Sequence, residues 1–267
     1  MCSTCSLGKE TADECGPTRM RPILVQLGPV PLRAYGVMMM VGFLVGLYRA
    51  LRAARRRGIE PSHVADAALY SLLAGIVGAR VVFVLLNWAD FSRDLKSVFS
   101  VWEGGLSFHG GVLFGAAVVC AYVRAKRIPF LAMADLLAPS LALGYAFARI
   151  GCFLNGCCYG VPCNLPLCVK FPELPGPVHP TQLYAAGAGL LIFLILTRVE
   201  KAQRPSGFVF ASYLLLYSMY RFLIEILRKG ASAQVWFWGL TEAQVVSLLV
   251  FGVAAICVAC LRTRRES

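Results

Sequence analysis

Acidic residues are scarce in this chain: 14 Asp and Glu stand against 26 Lys and Arg in 267 residues. Polar stretches of domain length are missing as well, so there is no soluble surface on which a nucleic-acid footprint would sit, despite the net charge of +12. The apolar blocks do not alternate with polar residues, which excludes a membrane β-barrel built from short two-faced strands. No internal repeat is evident. No apolar core follows a basic start, so residues 1–20 read as a disordered polar tail rather than a signal or transit peptide. Cys2 and Cys5 form a CxxC pair, but no second pair stands at zinc-finger spacing.

What is present is hydrophobic length. Apolar residues make up 58% of the chain, whereas about 45–50% is typical of soluble domains. They gather in seven blocks, at about 34–50, 64–86, 106–123, 131–149, 181–197, 207–227 and 240–261, several near the roughly 20 residues that cross a bilayer. The expected fold is an all-α integral membrane protein of seven transmembrane helices. A single catalytic domain covers 21–262, with an outer loop at about 155–180 and a short tail at 263–267. Ile23 to Leu32 either extends the first span or lies along the interface, and Pro29 and Pro31 favour the interface.

Basic residues orient the bundle. Arg52, Arg55, Arg56 and Arg57 follow the first span; Arg124, Lys126 and Arg127 the third; Arg198, Lys201 and Arg204 the fifth; and Arg262, Arg264 and Arg265 the seventh. The intervening loops are poorer in net positive charge, with Arg93 and Lys96 set against Asp90, Asp94 and Glu103. Positive charge stays on the cytoplasmic side, so the N-terminus is expected in the periplasm and the C-terminus in the cytoplasm.

Charges inside spans are costly and usually face the bundle interior. Arg80, His109, Arg149, Arg221, Glu225 and Arg228 are such cases. Arg221 and Glu225 are four apart and share a helix face; Arg228 competes for the same carboxylate. One acid does not neutralise so many guanidiniums, and a lipid phosphate is the natural partner for the surplus. The competing reading is an ion pair that locks helices together. His109 lies in GGLSFHGG, where glycines permit close approach and exposed amides; a lone histidine is otherwise a packing or hydrogen-bonding residue. Gln182 and Tyr184, in HPTQLY, read equally well as interhelical hydrogen-bonding groups. Asp66 and Asp135 read as first-turn residues facing their own helix dipoles. Cys152, Cys157, Cys158, Cys163 and Cys168 gather near the outer face. A loop-stapling disulfide, a metal site and a reactive thiol all remain open for them.

Five segments together resemble bacterial prolipoprotein diacylglyceryl transferases: GPVPLRAYG (28–36), VWEGGLSFHGG (101–111), ARIGCFLNGCCYG (148–160), HPTQLY (179–184) and YRFLIEILR (220–228). The resemblance implies a multi-pass enzyme of the bacterial inner membrane. Such enzymes move the diacylglyceryl group of phosphatidylglycerol to the lipobox cysteine of a preprolipoprotein, forming a thioether and releasing glycerol-1-phosphate. It implies His109, Arg149 and Arg221 as catalytic residues, and Tyr35, Asn155, Gln182, Tyr184, Glu225 and Arg228 as substrate contacts. The expected partners are phosphatidylglycerol, lipobox peptides and membrane lipids, with no nucleic acid, no metal or organic cofactor, and a monomeric chain. The match departs from the family pattern GRxGNFxNxE at Ala148, Cys152 and Cys157, and Ala185 stands where the tyrosine motif continues with Glu. A transporter of an anionic or lipid-like substrate and a membrane thiol-disulfide exchanger are the rival readings. The absence of paired repeats weighs against the first, and the absence of an outer CxxC against the second.

Overall fold

The computed structural model describes residues 23–27, 30–92, 95–100, 104–172, 174–202, 204–228, 235–237 and 239–263. The N-terminal tail with its CxxC pair lies outside the described residues, as do Arg93, Asp94, Glu103, Lys229 and positions 264–267. Strands β1 (Ile23–Leu27) and β2 (Val30–Arg33) lead into α1 (Ala34–Arg56) and α2 (Pro61–Leu86). A short α3 (Trp88–Phe91) and a 3-10 turn (Leu95–Phe99) precede α4 (Phe108–Ala125) and α5 (Phe130–Leu154). Strands β3 (Val169–Lys170) and β4 (Pro177–Val178) pair within the following loop, before α6 (Thr181–Lys201) and α7 (Phe208–Arg228). Strands β5 (Val235–Phe237) and β6 (Leu240–Thr241) precede α8 (Glu242–Thr263).

Among the described residues, seven helices are long and apolar enough to span a bilayer: α1, α2, α4, α5, α6, α7 and α8. The seven apolar blocks therefore correspond one for one to spans, each helix running a few residues beyond its block at one end or both. The segment before α1 does not extend the first span. It is an antiparallel hairpin in which Gln26 pairs with Pro31 and Leu27 with Val30, an arrangement that tolerates proline where a continuous helix would not.

Half of the apolar window of α5 is buried, against 17–33% for the other spans, so α5 is the central helix. It packs against α1, α6 and α7, while α2 pairs with α4 and α7 with α8. Two apolar clusters hold this arrangement. Ala50, Ala54, Val64, Val123, Met133 and Leu136 join α1, α2, α4 and α5. Ala138, Ala142, Ile192, Leu196 and Val209 join α5, α6 and α7. In lipid, helices associate through packing and polar contacts, and small residues allow the closest approach. The α2–α4 seam is of that kind: a Cβ on Gly110 would lie 2.4 Å from the Gly78 carbonyl oxygen. The glycines beside His109 therefore serve helix contact, which removes much of the reason for reading them as a frame for chemistry.

Two buried charges also have structural partners. The Arg80 guanidinium donates to the backbone carbonyls of Ser97 (2.5 Å), Val98 (2.8 Å), Gly104 (2.7 Å) and Gly105 (3.1 Å), and so ties the segment before α4 to α2. Asp135 accepts from the backbone N–H groups of Gly207 and Phe210, both at 2.7 Å. This corrects the sequence reading: Asp135 is not in the first turn of its own helix, but caps the positive N-terminus of α7. Asp66 likewise lies beyond its first turn, and accepts a 2.9 Å hydrogen bond from the Tyr122 hydroxyl of α4.

Replacing Gly110 with Ala should force α2 and α4 apart at a cost of about 1–3 kcal/mol. A thermal-denaturation midpoint in detergent unchanged from wild type would contradict this view of the seam.

Candidate functional site: an arginine cavity at one end of the bundle

Chain alternation brings the start of α1, the end of α5, the start of α6 and the end of α7 to the same end of the bundle. Arg149 lies near the end of α5, and Arg221 and Arg228 occupy the last two turns of α7. The three arginines line one small cavity together with Tyr145, Tyr220, Thr181 and Cys158. Its volume is about 10 Å³, room for roughly one water. Anything as large as a phosphate must displace side chains to enter.

Charge at the cavity is unbalanced. Glu225, 4% exposed, is ion-paired with Arg221 and lies 4.0 Å from Arg228. Among the described residues no carboxylate reaches Arg149. Its guanidinium instead stands 4.8 Å from the centre of the Tyr145 ring, a cation–π contact that leaves its positive charge intact. Tyr145, Tyr217 and Tyr220 form an aromatic group beside the arginines, with the Tyr145 and Tyr220 hydroxyls 3.3 Å apart.

The loop after α5 closes the cavity. The α6 residue Thr181 donates to the Cys158 carbonyl (2.7 Å), and Gln182 Nε2 donates to the Cys157 carbonyl (2.7 Å). The backbone N–H of Val161 donates to the Leu227 carbonyl at 2.9 Å, fastening the loop to the end of α7. Gly160 sits where a Cβ would lie 2.7 Å from Thr181 Cγ2 and 2.9 Å from the Leu227 carbonyl oxygen, so only glycine lets the loop pass this closely. Cys158 adopts a φ of 67°, in the left-handed region that non-glycine residues rarely occupy. Hydrogen bonds from the Cys152 and Cys157 thiols, then the charges of Arg149 and Arg228, hold the Cys158 thiol well below the ordinary thiol range.

The structure separates the residues named from sequence. It brings Arg149, Arg221, Arg228 and Glu225 together. Tyr35 packs on Gly151 and lies within electrostatic reach of Arg149 and the cysteine loop. Gln182 is buried behind the loop, its Oε1 without a hydrogen-bond partner among the described residues. Tyr184 faces His179, with its hydroxyl 3.5 Å from Nδ1, and does not line the cavity. Asn155 is exposed as the C-cap of α5. His109 is exposed in the first turn of α4, its ring beside Phe108; it shares the end of the bundle but not the cavity lining. Sequence reasoning missed Tyr145, Thr181 and Tyr220. The helical spacing carried part of the signal, since Tyr145 and Tyr217 each precede a cavity arginine by four residues. The outer cysteines divide: Cys163 and Cys168 form a disulfide within the loop, while Cys152, Cys157 and Cys158 are free.

Comparison with known proteins gives the family. The family model for prolipoprotein diacylglyceryl transferase matches residues 22–260. This chain belongs to that family. It is 39% identical over 215 residues to the phosphatidylglycerol–prolipoprotein diacylglyceryl transferase of Geobacter sulfurreducens, covering 78% of this chain and 82% of the relative. It is 35% identical over 245 residues to the same enzyme of Nitratidesulfovibrio vulgaris, covering 88% and 91%. The relative from Trichormus variabilis is 32% identical over 259 residues, covering 91% of each chain. The family and the seven spans together make the chain a multi-pass protein of the inner membrane.

Gln182→Ala removes the donor to the Cys157 carbonyl. It should loosen the 155–180 loop at a cost of about 1–3 kcal/mol and speed its cleavage by added protease. Equal cleavage rates in variant and wild type would show that the loop is held by other contacts.

Proposed function

We propose that this chain transfers the diacylglyceryl group of phosphatidylglycerol to the lipobox cysteine of a preprolipoprotein, as the names of its relatives describe for them. The observation that carries the reading is the meeting of Arg149, Arg221 and Arg228 around one cavity, where Glu225 is the one carboxylate that the described residues place beside them. In the reaction the cysteine sulfur attacks the glyceryl carbon bonded to the phosphate ester oxygen. A C–S bond forms, that C–O bond breaks, and glycerol-1-phosphate leaves with the electron pair. The departing phosphate gains negative charge, and guanidiniums held away from bulk water stabilise it most strongly there. Arg149 and Arg221 are assigned that role, and Glu225 orients Arg221.

The thiol must lose its proton before attack, and a thiol of pKa about 8.5 needs only modest help. His109, on the same end of the bundle and open to solvent, is assigned that proton through bridging water. Tyr35, Asn155, Gln182 and Tyr184 are assigned to headgroup positioning or to supporting the loop. A groove of about 180 Å³ runs between α7 and α8, lined by Met219, Phe222, Leu223, Leu248 and Phe251 with Ser218 and Ser247; its apolar lining suits an acyl chain. The site end is assigned to the periplasm and the chain's C-terminus to the cytoplasm. The motive is that Arg55–Arg57, Arg124–Arg127 and Arg198–Lys201 all fall at the opposite end.

A lipobox peptide incubated with the purified protein and phosphatidylglycerol should gain the mass of one diacylglyceryl group at its cysteine. Arg221→Gln should slow this transfer by about 10²–10³-fold. Full turnover in a folded Arg221→Gln variant would overturn the assignment. In His109→Asn transfer should slow by about 10²-fold or more; full turnover in the folded variant would remove His109 from proton transfer.

A further inference from the structure

Cys152, Cys157 and Cys158 place their three sulfurs within 4.8 Å of one another, Cys152 buried at the end of α5 and the other two half-buried in the loop. None is in a disulfide. We propose that these three cysteines form a thiolate site for a zinc ion, against the wall of the arginine cavity.

Three considerations favour it. Zinc takes sulfur ligands at about 2.3 Å in tetrahedral geometry, which sets the sulfurs about 3.8 Å apart; the trio reaches that spacing by closing at most about 1 Å, within the range of side-chain rotation. Among the described residues no His, Asp, Glu or further Cys joins the group, so the site offers three protein ligands and keeps the fourth position for water or a substrate atom. Charge decides between metals. Three thiolates with Zn²⁺ leave a net charge of −1, and Arg149, within electrostatic reach of Cys152 and Cys158, is the cation that neutralises it. A monovalent thiophilic ion would leave −2 beside one guanidinium. Binding is an exchange without redox change: each thiol loses its proton to solvent as its sulfur bonds to zinc. The backbone is already committed to the arrangement, since Thr181 and Gln182 grip the carbonyls of Cys158 and Cys157 and hold Cys158 at its left-handed φ.

The test uses the full chain, reduced and purified in detergent without oxygen, and titrated with Co²⁺ as a coloured probe. The wild type should develop an intense thiolate-to-cobalt charge-transfer absorption that saturates at one equivalent and is bleached by one equivalent of Zn²⁺. Cys163→Ser with Cys168→Ser should keep it, as should replacement of Cys2, Cys5 and Cys15 by Ser. Cys152→Ser with Cys157→Ser should lose it. Because that variant removes a buried side chain, protection is read in the wild type as well: Zn²⁺ should slow alkylation of Cys157 and Cys158 at least tenfold while leaving Cys257 and Cys260 unaffected. Absence of the absorption, its loss with the N-terminal cysteines, a disulfide among the trio that persists under reduction, or no protection by Zn²⁺ would each overturn the proposal. None of these readouts depends on transfer activity, so the zinc site and the proposed reaction stand or fall separately.

Discussion

Guanidinium charge at the end of an apolar bundle is expensive, and the organisation around α5 and α7 is best understood through that cost. Among the described residues, Arg149, Arg221 and Arg228 meet with a single carboxylate, Glu225, between them. Burying a charge without full compensation is tolerated only where surrounding structure over-determines its position. Here α5 is packed on several sides, the tyrosines stack beside the cations, and the loop after α5 is fastened to both α6 and α7. The surplus is a standing attraction for an anion. In a bilayer the abundant anion is a lipid phosphate, whose oxygens accept paired hydrogen bonds from the planar arginine fork.

The same end of the bundle contrasts with charges that are fully employed. Arg80 spends its donors on four backbone carbonyls, and Arg49 and Arg57 share Glu200 across α1 and α6. Those groups hold the fold, and nothing about them calls for a ligand. The cavity is also nearly closed, so substrate entry requires movement of the tyrosines or of the cysteine loop. Its hinge-like fastening at Val161 and Gly160 makes that loop the element whose stability governs access.

Spans were legible because apolar length is a composition signal that packing does not disturb; every block became a helix. The hairpin before α1 was not, because ten residues with two prolines carry no periodicity that separates an interfacial strand pair from an irregular segment. The arginines were legible from cost alone, since charge at membrane depth demands an explanation. Their convergence was not, because it depends on α5 and α7 approaching end to end across some seventy residues of chain. Tyr145 and Tyr220 read as ordinary span aromatics until the helices were packed. The glycines around His109 carried a signal that the sequence could not divide, since Gly110 is needed for the approach of α4 to α2. The cysteine trio was visible as a cluster in the sequence, but which thiols pair and which stay free is decided by backbone direction after Asn155.

The most direct measurement is lipid retention by the purified protein, read by native mass spectrometry after mixing with phosphatidylglycerol and with diacylglycerol of the same acyl chains. If cationic surplus at Arg149 creates the site, wild type should retain phosphatidylglycerol in preference to diacylglycerol, and Arg149→Met, similar in size but neutral, should bind both alike. Equal preference for phosphatidylglycerol in wild type and Arg149→Met would show that recognition lies elsewhere on the molecule.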